Sequence, residues 1–156
     1  MSRLLSALPL TAVVALSGCQ ARQPGHAEIT VMTYAKHHIL VPNKRLHNPL
    51  PDTTATLADG KEAFGHYCVA CHGMDGQDTG VPFAENISPP IPSLASPSVQ
   101  EYSDSQLKWI IDKGIWPSGM PASSGVLSDD EQWSIIVFLR HLPPAGSQGV
   151  PDLYTH

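Results

Sequence analysis

The residues best equipped to do chemistry together are Cys68, Cys71 and His72, in the run Cys68-Val69-Ala70-Cys71-His72. Two thiols three residues apart lie on one face of a helical turn. So placed, each can add to one of the two vinyl groups along one edge of a porphyrin, and the adjacent imidazole is carried beneath the iron. One short segment thereby tethers a haem and supplies its proximal ligand. Two other chemistries fit this spacing less well. A zinc site needs two further soft ligands, and Cys19 is the only other cysteine. A thioredoxin-like pair needs a βαβ setting, and no such pattern precedes Cys68.

A second iron ligand is sought on a rigid exposed loop. Trp116-Pro117-Ser118-Gly119-Met120-Pro121 offers one. A methionine followed by proline in a Gly-containing loop is a poor core residue and a good way to hold out a thioether. Met120 opposite His72 gives His/Met ligation, which raises the reduction potential. With both axial positions filled, no site is left for substrate, which suits electron transfer. The rivals are Met74, His66 and His141. Met74 lies two residues from His72, and His66 precedes the attachment motif on the same side. His141 falls at the end of the last helix, where a cation at a C-terminus is its simplest role. His37, His38 and His47 invite a metal hypothesis, but adjacent imidazoles on an extended segment point apart. They are read as surface histidines.

The elements that must position these groups are helices. A first helix is predicted over Leu57–Tyr67, with Thr56 as N-cap and Gly73 stopping the helical turn after His72. Gly60 and Phe64 share one face of it. A glycine there lets another helix approach closely while Phe64 fills the space beside it. A second helix starts at Ser103, with Gln106 completing a capping box, and ends at Gly114. A third starts at Ser128, with Glu131 in the same pattern, and is stopped by Pro143-Pro144. Between the first two helices, residues 74–102 form a long proline-rich loop, expected to wrap one edge of the haem. The domain therefore runs over 56–142, with a tail at 143–156.

The chain has 156 residues, and its 15 prolines favour long irregular segments. Aromatic residues are few, at 6%, so a buried macrocycle would supply much of the core. Residues 1–18 read as an export signal: Arg3, then an apolar stretch from Leu4 to Leu16, then small residues. Leu16-Ser17-Gly18-Cys19 resembles the lipobox of bacterial lipoproteins, which implies cleavage before Cys19 and lipidation of its thiol. Acyl chains would hold the domain on the periplasmic side of a bacterial membrane without a spanning helix. Residues 19–55 form an arm without a long amphipathic helix. Ile29-Thr30-Val31 and His38-Ile39-Leu40-Val41 are predicted as short strands within it. Residues 20–51 hold Arg22, Lys36, Lys44 and Arg45 against Glu28 alone, whereas residues 52–142 hold twelve acids against four Lys/Arg. So acidic a body argues against nucleic-acid binding; it permits steering toward a redox partner with a basic docking face, or is ordinary solubility charge.

Over 57–142 the chain resembles class I cytochrome c, and most of all small cbb3-type cytochrome c domains. Gly60, Phe64, Cys68, Cys71, His72, Met120 and Phe138 stand at that family's spacing. Pro92-Ser93-Leu94 looks like its Pro-x-Leu segment. The resemblance implies that the Pro92 carbonyl accepts the His72 ring N–H and that Leu94 packs on haem; Pro90 competes for the carbonyl role. It also implies an all-α fold, about three main helices around one covalent haem c, with the terminal helix crossing the first near Gly60. The function expected is one-electron transfer at a membrane surface. The alternatives are a haem subunit of a dehydrogenase or oxidase complex, a small peroxidase and a gas sensor, the last two needing an open iron.

Overall fold

The computed structural model describes residues 25–42, 46–77, 81–84, 87, 90–115 and 118–147. The expectations for residues 1–18, Cys19, Trp116 and Pro117 fall outside these residues. Six α-helices are named in chain order: α1 (His26–Ala35), α2 (Thr54–Tyr67), α3 (Val69–His72), α4 (Pro97–Gln100), α5 (Asp104–Lys113) and α6 (Asp129–Arg140). A π-helical turn, Lys36–Leu40, continues α1. There is no strand among the described residues, only isolated bridges such as Ile115 to Met120.

The core forms where α2 crosses α6 and α5 lies against α6. Phe64, Ile135 and Ile136 are its most deeply buried apolar side chains. A Cβ on Gly60 would overlap the backbone carbonyl of Ser134, so only a glycine allows this approach. One turn further on, the rings of Phe64 and Phe138 meet with centroids 5.1 Å apart. The predicted crossing of first and last helices is therefore present, and the glycine lies at its tightest point.

The helix starts show which local signals decide. The capping boxes Ser103/Gln106 and Ser128/Glu131 are both formed, with each serine side chain accepting from the third helical N–H. Gly114, at φ 69°, ends α5. The first helix begins earlier than predicted: Thr53, not Thr56, is the cap, and its Oγ1 accepts from the Thr56 N–H at 3.2 Å. The extra turn lets Thr56 be buried inside the helix.

The arm also departs from the sequence reading. Ile29-Thr30-Val31 and His38-Ile39-Leu40 lie in α1 and the π-helical turn, not in strands. No neighbouring strand is available among the described residues, so the backbone must satisfy its polar groups locally, which a helix does. Thr30 Oγ1 donates back to the His26 carbonyl at 2.9 Å, accommodating its β-branched side chain. The arm joins the domain further on. Val41 enters the core, its carbonyl accepting from Gln106 Nε2 at 3.3 Å, and Asn48 Nδ2 donates to the Trp133 carbonyl at 3.0 Å.

Arg140 ties three elements together. Its guanidinium donates to Asp104 Oδ1 at 2.8 and 3.0 Å, to the Tyr102 carbonyl at 2.6 Å and to the Gln100 carbonyl at 2.8 Å. Gln100 in turn donates to the carbonyls of Leu94 and Leu139. Replacing Arg140 by methionine is expected to destabilise the domain by about 2 kcal/mol, because a charged donor leaves partly buried acceptors behind. Urea unfolding checks this; an unchanged midpoint would mean that water replaces the guanidinium without loss.

Candidate functional site

α2 delivers the attachment motif. Cys68 ends α2 and also precedes α3, and its carbonyl accepts from the Cys71 N–H at 3.2 Å and the His72 N–H at 2.9 Å. Both thiols and the imidazole are thus placed on one tight turn, which Gly73 closes at φ 71°. Cys68 is half-buried and Cys71 exposed, and neither is in a disulfide. Burial pushes the Cys68 thiol up to about 11, with Cys71 beside it adding to the shift. A redox-active thioredoxin-type cysteine needs the opposite, a thiolate stabilised near neutral pH.

Burial also lowers the His72 pKa and so favours the neutral ring, the form able to bind a metal. Its Nδ1 is buried without a hydrogen-bond partner. A buried donor without an acceptor costs about 1–3 kcal/mol, so Nδ1 calls for a carbonyl. The bond from Nδ1 to the Pro92 carbonyl, implied by the resemblance, is not formed in the structure. The 90–94 segment is held by the main chain instead: the Leu94 N–H donates to the Gly76 carbonyl at 2.7 Å. Leu94 is half-buried against the core, whereas Pro90 and Pro92 are exposed.

Met120 lies between α5 and α6. The Ile115 N–H donates to its carbonyl at 3.1 Å, and Ser118 Oγ donates to the Ile115 carbonyl at 2.6 Å. Ser123 Oγ fastens the following residues to the Ile111 carbonyl at 2.7 Å. A side chain at Gly114 would strike the backbone of Met120, Pro121 and Ala122. That role was hidden in the sequence, where Gly114 reads only as a helix end. Met120 itself is half-buried and packs on the core; the other described methionines, Met32 and Met74, are exposed. The remaining rivals are engaged elsewhere. His66 is exposed, 3.9 Å from Glu62. His141 has Nδ1 at 2.9 Å from the Val137 carbonyl and Nε2 at 3.4 Å from Asp52.

Two buried polar residues after the motif were not singled out from sequence. Asp75 Oδ1 accepts from the Gln77 N–H at 2.9 Å, and Gln77 Oε1 accepts from the Gly146 N–H at 2.6 Å. They fasten the tail over the turn that follows His72. Only the Asp-Gly pair at 75–76, a turn signal, marks the place in the sequence.

The family model described as Cytochrome C oxidase, cbb3-type, subunit III matches residues 55–139, more than half of the chain. The chain belongs to this family of c-type cytochromes. Its fold is accordingly that of class I cytochrome c, and its cofactor is a covalently bound haem c. The donor set fits that cofactor: paired free thiols, a neutral imidazole with one buried nitrogen, and a half-buried thioether. Among solved structures, a chain of the reducing HAO-like protein complex of Kuenenia stuttgartiensis is similar at 22% identity and TM-score 0.52, over 65% of this chain and 50% of that one. This chain therefore spans half the length of that neighbour. Cytochrome cL from Methylophaga aminisulfidivorans is similar at 19% identity and TM-score 0.45, over 80% of this chain and 71% of that one. No match was found among curated proteins.

Proposed function

We propose that the chain is a single-haem electron carrier, passing one electron at a time at the periplasmic surface of a bacterial membrane. The observation that carries this reading is the placing of Cys68, Cys71 and His72 on one turn, in a chain whose family carries haem c. Cys68 and Cys71 would form the thioethers, His72 would be the proximal ligand and Met120 the distal one. With haem bound, Leu94 would pack against the macrocycle, and the Pro92 carbonyl would have to move to accept from His72 Nδ1, which has no partner in the structure. Bound haem supplies one-electron exchange at its iron. With His72 and Met120 both holding the iron, no position would be open for a substrate. This favours a carrier over a peroxidase or gas sensor.

Cys19 carries the lipid anchor, and the acidic body presents itself to redox partners with basic docking faces. A fixed subunit of an oxidoreductase complex is the second reading. It is favoured by the family description, an oxidase subunit, and by the Kuenenia neighbour, itself a chain of a protein complex.

Extraction into acidified organic solvent tests the attachment. Pigment should stay with the polypeptide of the native protein. Cys68→Ser or Cys71→Ser should reduce maturation, and the double variant should carry no covalent haem. Complete extraction of pigment from the native protein would end the thioether assignment.

A further inference from the structure

We propose that the arm helix α1 and the π-helical turn behind it lie in the headgroup region of an anionic bilayer, as a second membrane contact beside the lipid on Cys19. The inference rests on the lipid-anchor part of the function proposed above. The observation that motivates it is the unusual exposure of apolar side chains on this segment. Ile29, Val31, Met32, Tyr34, Ile39 and Leu40 are all exposed, Val31 at 65% and Ile39 at 72%. The first buried residue among those described is Val41. A helix with apolar side chains around most of its circumference is normally covered by something. No helix of the described residues is long and apolar enough to cross a membrane. An apolar helical stretch of this length suits an interfacial position instead.

Reach and charge favour lipid as the covering. His26 follows Cys19 by seven positions. Fully extended, that stretch spans at most about 25 Å, so a lipidated Cys19 keeps α1 close to the bilayer surface. Residues 20–51 carry Arg22, Lys36, Lys44 and Arg45 against Glu28, the opposite balance to the acidic body. Basic residues flanking an apolar surface segment are drawn to anionic headgroups, from which the body is repelled. Tyr34, 63% exposed, is a side chain that prefers the water–lipid boundary. With the arm lying flat, the chain meets the core of the haem domain at Val41, close to the headgroups. With the arm free, about 22 Å of helix is added to the tether.

A spin label on Val31→Cys tests this in the full haem-loaded protein. Lipidation and thioether formation consume the native cysteines, so the introduced thiol is the free one. The protein is added to vesicles of phosphatidylcholine with or without phosphatidylglycerol. Collision with dissolved oxygen and with a water-soluble nickel chelate is then compared. Position 31 should become several-fold less accessible to nickel and more accessible to oxygen on phosphatidylglycerol vesicles. A label on Val126→Cys, in an exposed loop of the haem domain, should not change. Equal nickel access at position 31 with and without vesicles overturns the proposal. Protection at position 31 that needs no lipid and grows with protein concentration also overturns it, in favour of a second copy. The mass of the mature N-terminus reads the anchor separately. If Cys19 is not acylated, co-sedimentation with phosphatidylglycerol vesicles over pure phosphatidylcholine still supports the arm contact, and its absence refutes it.

Discussion

Gly60→Leu is expected to destabilise the domain strongly. A Cβ at this position would overlap the Ser134 carbonyl and come within 3.1 Å of the Ile135 nitrogen. These obstacles are backbone atoms of α6 and cannot rotate aside. The two helices would have to separate, and Phe64, Ile135 and Ile136 would lose their packing together. Overpacking typically costs about 1–3 kcal/mol where side chains can adjust. Here they cannot, so at least ~3 kcal/mol is expected, a large part of a small domain's stability. Gly60→Ala sharpens the test. On helix propensity alone it should stabilise α2 by about 1 kcal/mol. The crossing reverses that sign, and alanine should also destabilise. Chemical unfolding of both variants, followed by the haem absorption band, decides. If alanine stabilises and leucine is tolerated, α2 does not cross α6 where the structure places it.

Part of that crossing was legible in the sequence: Gly60 marks a close approach by another helix, whereas the family resemblance supplied the terminal helix as its partner. A glycine inside a helix with a phenylalanine one turn on specifies a close contact; the part of Phe138 in it is what the resemblance implies. The two capping boxes were legible because Ser103/Gln106 and Ser128/Glu131 satisfy backbone groups within four residues, so no distant partner is needed. What stayed hidden depends on residues far apart in the chain. Asn48 bonds to Trp133, Gln77 to Gly146, and Gly114 makes room for the backbone after Met120. None of these pairings has a local signature. The arm was misread for another reason. Its β-branched residues favour strand only where a neighbouring strand completes the ladder, and helix wins without one. The first helix start was displaced because Thr53 and Thr56 are equally good caps by type. Tertiary burial of Thr56 selects the earlier one.

Met120→Ala is expected to change the electronic character of the site while leaving the fold intact. The thioether is half-buried, and the loop that carries it is held by its main chain, through the Ile115 N–H to the Met120 carbonyl and Ser123 to Ile111. Removing the side chain therefore leaves the loop in place. Without a sulfur ligand the ferric state is less disfavoured, and the reduction potential should fall by on the order of 0.1 V or more, within the roughly 0.8 V that axial ligands span. The weak sulfur-to-iron band at the red end of the ferric spectrum should vanish. Carbon monoxide should bind the ferrous protein. Gly114→Ala provides the contrast. It keeps the thioether but places a Cβ against the backbone of residues 120–122, at a φ of 69° that alanine resists. It should weaken the sulfur band in proportion to a displaced loop and lower stability, whereas Met120→Ala lowers the potential with a smaller loss of stability. Optical titration in a redox cell and urea unfolding separate the two effects. If Met120→Ala keeps both the band and the potential, the distal ligand lies elsewhere. His141 would then have to leave Asp52 and the Val137 carbonyl to reach the iron, and a His141→Ala variant would carry the spectral change instead.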